Sequence, residues 1–196
     1  MANIYKKGSK RKAAAALCIA ITMALSGCDA SGSRKSMDVM NDRLKNFNNA
    51  LNKLDYEAVR SLSDWAEGEG DYTAIEVLLD TSAYADTAGE GFVSCTEYIA
   101  STIRIKYDIK TVHIDGEQAT LDVKYEMVDW EEVYQKAHGS FDEVLEDLKN
   151  CPDTITSDAV IVFENVNKKE DWRLCRINDL GKVMSFVHTL PDISDQ

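Results

Sequence analysis

The sequence predicts an α+β domain in which N-terminal helices pack on a bent antiparallel sheet of about four strands. Two observations carry that prediction. Met40, Leu44, Phe47, Leu51 and Leu54 recur at spacings of 4, 3, 4 and 3, which is one apolar stripe on a helix. Residues 103–127 instead alternate apolar and polar side chains around Asp115-Gly116, a two-residue hairpin signal.

The first stripe spans two heptads, short of the three or four that a coiled coil needs, so it predicts core packing. Asp55 is placed to cap a second helix whose apolar positions are Val59, Leu62 and Trp65, with Gly68 and Gly70 ending it. Residues 72–79 and 92–99 each score as short helices, separated by Gly89 and Gly91.

In the hairpin, Ile103, Ile105, Tyr107 and Ile109 keep one phase, and then Val112 and Ile114 become the apolar positions. Across the turn Ala119, Leu121, Val123, Tyr125 and Met127 keep one phase throughout. Pairing Val112 with Ala119 and Ile105 with Tyr125 requires one extra residue near Lys110-Thr111, which predicts a β-bulge. The opposite face carries Arg104, Lys106, Asp108, Asp122, Lys124 and Glu126 and reads as solvated.

Two further strands are expected at 159–166 and 172–177. Between the strand pairs lies an insertion, 131–152, in which Phe141, Val144, Leu145 and Leu148 have helical spacing. Gly139-Ser140 starts that helix and Cys151-Pro152 stops it. The domain is therefore drawn at 37–180, with a tail at 181–196.

Ahead of the domain, residues 1–12 hold five bases and no acid, and residues 13–25 hold no charge. An apolar run of that length is too short to span a bilayer, which needs about 20 residues, but it suits a secretory signal of 27 residues. Leu25, Ser26, Gly27 and Cys28 follow. This quartet resembles the bacterial lipobox, Leu-Ser/Ala-Gly/Ala-Cys, at all four positions. The resemblance implies diacylglyceryl attachment to the Cys28 thiol, cleavage before it, and a protein lipid-anchored to the extracytoplasmic face of the cell membrane. Stable anchoring by more than one acyl chain agrees with that implication. Asp29 resembles an inner-membrane retention signal if the envelope has two membranes. Residues 28–36 read as a flexible tether, with a coil span nearer about 16 Å than its extended limit.

Loss of the signal would remove five of the 22 Lys and Arg and none of the 34 Asp and Glu, a strongly acidic remainder. Such a balance excludes nucleic acid as a partner, because phosphates demand Lys and Arg. Cys18 leaves with the signal, and Cys95, Cys151 and Cys175 remain to the fold, where one disulfide or buried free thiols are both open. No CxxC, GxGxxG, P-loop, GxSxG or HExxH occurs, so no cofactor or metal is implied.

The DYEAV helix start, the VHIDGEQATLDVKYEM hairpin and the KKEDWRLCRI strand together look like the cone-shaped nuclear transport factor 2-like domains, over roughly 37–180. Cystatin-like helix-on-sheet folds are the nearest alternative. The resemblance implies a pocket between sheet and helices, lined in some relatives by a catalytic Asp, His or Tyr. Here His113 faces outward, His138 makes only a weak pair with Asp142, and the hairpin carboxylates face solvent. Tyr107, Tyr125, Trp130 and Trp172 are the inward candidates for lining a ligand pocket. The expectation is a non-enzymatic binding domain for an envelope protein or a small ligand. Its alternatives are an isomerase or dehydratase and a transporter's solute-binding lipoprotein.

Overall fold

A computed structural model describes residues 30–65, 70–81, 85–86, 88–166, 168, 170–177 and 179–193. Residues 1–29, with the expected signal segment, Cys28 and Asp29, lie outside the described residues. The architecture is α+β, one helical layer against an antiparallel sheet. The helices are α1 (Ala30–Leu51), α2 (Tyr56–Ser61), α3 (Gly70–Leu79), α4 (Glu90–Thr102), α5 (Trp130–Tyr134), α6 (Phe141–Asn150) and α7 (Leu180–Val183). The strands are β1 (Arg104–Lys106), β2 (His113–Asp115), β3 (Gln118–Val128), β4 (Thr154–Val166) and β5 (Asp171–Arg176).

Both β1 and β2 pair with the same edge of β3, and β4 and β5 follow on its other side. The inner face of β3 presents Ala119, Leu121, Val123, Tyr125 and Met127, all buried, while its polar alternates face out. Met40, Leu44, Phe47 and Leu51 of α1 are fully buried above that face. The expected stripe is thus the seam between the two layers. Asp55 caps α2, its side chain accepting the Ala58 N–H at 2.9 Å, and Ser140 caps α6 by accepting from Glu143 N at 3.3 Å.

Several expectations change: α2 ends at Ser61, short of Trp65, and Gly70 opens α3 instead of ending α2. Ile105 pairs with Tyr125 as expected, but Ala119 faces Ile114 rather than Val112. Between those pairs the first strand spends eight residues against five on β3, so the surplus is three residues and not one. It is absorbed by a 3-10 turn, Ile109–Thr111, capped by Asp108, whose carboxylate accepts Lys110 N at 3.0 Å. The hairpin itself closes one residue later, on Gly116-Glu117, with Asp115 opposite Gln118. Gly116 has φ +62°, the sign a type II′ turn demands at its first central position.

A sheet irregularity falls between Val162 and Phe163, where Cys175 is the extra residue on β5. The strand β4 begins at Thr154, earlier than 159, because Thr154–Asp158 pair residue by residue with β3; Ser157 on the inner side breaks the apolar pattern that Ile155 starts. The expected tail is core: Leu180, Val183, Met184, Phe186 and Val187 are all buried. The helix α1 also begins at Ala30, so most of the stretch expected as a coil tether is helical, with Ser36 already buried.

One end of the sheet carries the two hairpin turns. There Lys35 of α1 pairs with Glu170, and Lys168 with Glu117 at 3.1 Å. The other end carries α5, α6 and the C-terminal segment.

Candidate functional site

The four aromatic candidates do not converge. Tyr125 is 1% exposed, and burial, aided by the Asp179 carboxylate, pushes its hydroxyl far above the usual phenol range. Trp172 is buried beneath α1, and its carbonyl accepts from Arg43 Nε at 3.1 Å. Both are core. Tyr107 is half-buried, donates its O–H to Asn41 Oδ1 at 3.0 Å, and lines a groove of about 500 Å³ with Leu44, Asn48, Asn52 and Arg104. Two amides of that groove, Asn48 and Asn52, are already committed. Asn48 accepts from Ile105 N and donates to Ile103 O, and Asn52 donates to the carbonyls of Ala100 and Ile103. This groove is a helix–strand joint in which Asn48 and Asn52 are spent largely on main-chain groups.

Trp130 stands at a different kind of place. Asp129 starts α5 by accepting Glu132 N at 3.0 Å, which sets Trp130 as the first helical residue at the end of β3. Its ring meets Tyr134 edge-on at 5.4 Å and Phe186 at 6.2 Å. Beside it a cleft of about 540 Å³ opens between the ends of β3 and β4 and the C-terminal segment. Met127, Ile155 and Val183 supply apolar wall, and Ser157 and Lys182 supply polar groups. Trp130 Nε1 and Ser157 Oγ are buried and have no hydrogen-bond partner among the described residues. Indole N–H is a donor only, and leaving it unpaired in a low-dielectric site costs roughly 1–3 kcal/mol. Lys182 is exposed, whereas Asp158 on the rim is taken by Lys124 at 3.3 Å. The free groups of the cleft therefore include donors that call for an acceptor.

Sequence reasoning found Trp130 but not its neighbours. Lys182, Val183 and Ser185 lay in the presumed tail, and Ser157 lay ahead of the expected start of β4.

The titratable groups elsewhere serve packing. His138, which with Asp142 makes only a weak metal pair by spacing, is 5% exposed and lies 3.2 Å from Asp147, through Nε2 and Oδ2. Its main-chain N–H donates to Asp192 O at 3.1 Å, pinning the C-terminal segment to the insertion. His113 is exposed opposite Thr120. Glu126 pairs across the outer face with Lys106 at 2.6 Å, as a solvated cross-strand carboxylate does. All three cysteines of the domain are free thiols.

Cys175 meets Asp64 and Glu164, with ligand atoms of all three within 4.8 Å. Burial first, then the Asp64 charge, push the Cys175 thiol up to about 11, so it stays protonated and unreactive at neutral pH. Cys95 is likewise pushed up to about 11 by burial, then by Asp142.

No protein-family model, curated protein or solved structure matches this chain. Among the described residues no helix is long and apolar enough to cross a membrane.

Proposed function

We propose that this is a lipoprotein anchored through Cys28 to the extracytoplasmic face of the cell membrane, carrying a non-enzymatic α+β binding domain. Its ligand is a small molecule that offers a hydrogen-bond acceptor, a carbonyl or a carboxylate, to the cleft beside Trp130. The lipobox quartet behind a basic, then uncharged, leader supports the anchor. One observation carries the binding reading: the buried, unpartnered Trp130 Nε1 and Ser157 Oγ beside a half-apolar cleft. Helices packed on one face of an antiparallel sheet support kinship with the nuclear transport factor 2-like or cystatin-like arrangements.

Two measurements test the two halves. Cys28→Ala should move the protein from the detergent phase to the aqueous phase, and unchanged partitioning and processing would refute the anchor. Native mass spectrometry of the purified lipoprotein should show a retained small mass that Trp130→Phe sheds, since phenylalanine keeps the ring contacts and removes the donor. Equal retention by both proteins would refute the cleft as the site.

A further inference from the structure

We infer that the hairpin-turn end of the sheet is the membrane-facing surface, so that the Trp130 cleft opens away from the bilayer. This rests on the Cys28 anchor proposed above and adds to it which surface meets the lipid. Because α1 begins at Ala30, only Asp29 separates the anchored residue from a helix continuous with the core. Two residues of chain span at most about 7 Å, and the helix from Ala30 to Lys35 rises about 8 Å. Lys35 therefore stands within about 15 Å of the lipidated residue. At Lys35 the helix is joined to Glu170 of the β4–β5 turn. That turn is joined in its turn to the β2–β3 turn, through Lys168 with Glu117 and through Asn165 N on Glu117 O at 2.7 Å. Farther along, Arg43 holds Asp171 at 3.0 Å and the Trp172 carbonyl, which fixes the helix against β5. The anchor, the helix start and both turns thus form one connected end.

The opposite end is distant. The 11 residues of β3 separate the β2–β3 turn from Trp130, a rise of about 34 Å. A lipid fixed at one end of that length, through a helix instead of a coil, cannot bring the other end to the surface without bending α1.

Charge agrees with the direction. The hairpin end sets Arg34, Lys35, Lys168 and Arg173 against Asp115, Glu117, Glu164, Glu170 and Asp171, which is close to balance. Residues 130–150 hold six acids and two bases, and anionic headgroups repel such a segment. The partner of the hairpin end is therefore the headgroup layer itself, met by paired charges. The cleft and its acidic surround are presented to solutes and proteins outside the membrane.

Lysine acylation, read residue by residue by mass spectrometry, tests this without altering the fold. The diacylated protein in phosphatidylcholine vesicles is compared with soluble Cys28→Ala. Vesicle flotation comes first: if the wild-type chain does not float, the anchor itself is refuted, and the orientation with it. For protein that floats, acylation of Lys35 and Lys168 should slow several-fold relative to the soluble variant, while Lys136, Lys149 and Lys182 react at unchanged rates. Protection of Lys136 or Lys149, or equal rates at all five lysines, would overturn the orientation and leave the anchor standing.

Discussion

Asn48 of α1 accepts the main-chain N–H of Ile105 at 2.7 Å and so closes the outer edge of β1 with a helix side chain. A strand edge left open is a template for pairing with another chain, and here an amide from the helical layer occupies it. Asn48→Ala leaves that buried donor without its acceptor, at a cost of about 1–3 kcal/mol. Asn49→Ala, one residue on and exposed, should be close to neutral. Urea unfolding of both variants checks the contrast, and equal midpoints would show that the amide is not holding the edge.

Gly91 is a contact point between α4 and α6. A Cβ there would stand 2.6 Å from Phe141 Cβ, nearer than carbon atoms approach. Gly91→Ala should therefore force the two helices apart at a cost of about 1–3 kcal/mol. Gly91→Ala combined with Phe141→Gly should recover part of the loss relative to the sum of the single variants, because the Cβ that clashes has been removed. Strict additivity in thermal unfolding would exclude the clash.

The thiols give the alkaline side of the stability profile. Cys95 and Cys175 ionise near an ordinary 9.0 when unfolded and near about 11 when folded. The folded state then holds more protons than the unfolded state in that window. Stability is complete below 9.0 and falls as the pH rises towards about 11. Glu164→Gln removes one charge that pushes Cys175 up, so its alkylation rate should climb at a lower pH than in the wild type. An unchanged rate profile would show that Glu164 does not act on the thiol.

The acid side runs through Asp171. Arg173 donates to Oδ2 from Nε at 3.0 Å and from Nη2 at 2.8 Å, and Arg43 donates to Oδ1 at 3.0 Å. The Arg173 hydrogen bond first, with Arg43 beside it, holds the carboxyl below its ordinary 3.8. This contribution is present above 3.8 and is lost as pH falls through the lower folded value. Arg173→Met should therefore reduce stability at neutral pH and flatten its decline on acidification. A parallel shift of the whole pH curve would contradict that assignment.

The parts of the fold that the sequence made legible are those with a single buried face. The stripe of α1 and the unbroken phase of β3 each alternate against one layer, and the structure places both at the seam. Legibility failed where burial had another source. The first half of β4 pairs fully with β3 yet shows polar residues on both faces, so no period marks it. Residues 180–187 are too short to display a helical period, although Leu180, Val183, Phe186 and Val187 complete the core. The surplus at 107–112 was visible as a phase slip. Its size was not, because turn placement at Gly116 and the Asp108 cap decide it together. The cleft was half legible for the same reasons: Trp130 stood out as an inward aromatic just past the phase of β3, whereas Ser157 and Lys182 come from the two stretches without period.

The proposed anchor at Cys28 is tested most directly by intact mass spectrometry of the protein purified from the cells that make it. The predicted result is a mature chain that begins at Cys28 and carries a diacylglyceryl mass on the N-terminal residue. A chain that still carries its leader, or a mature N-terminus without lipid, would contradict it.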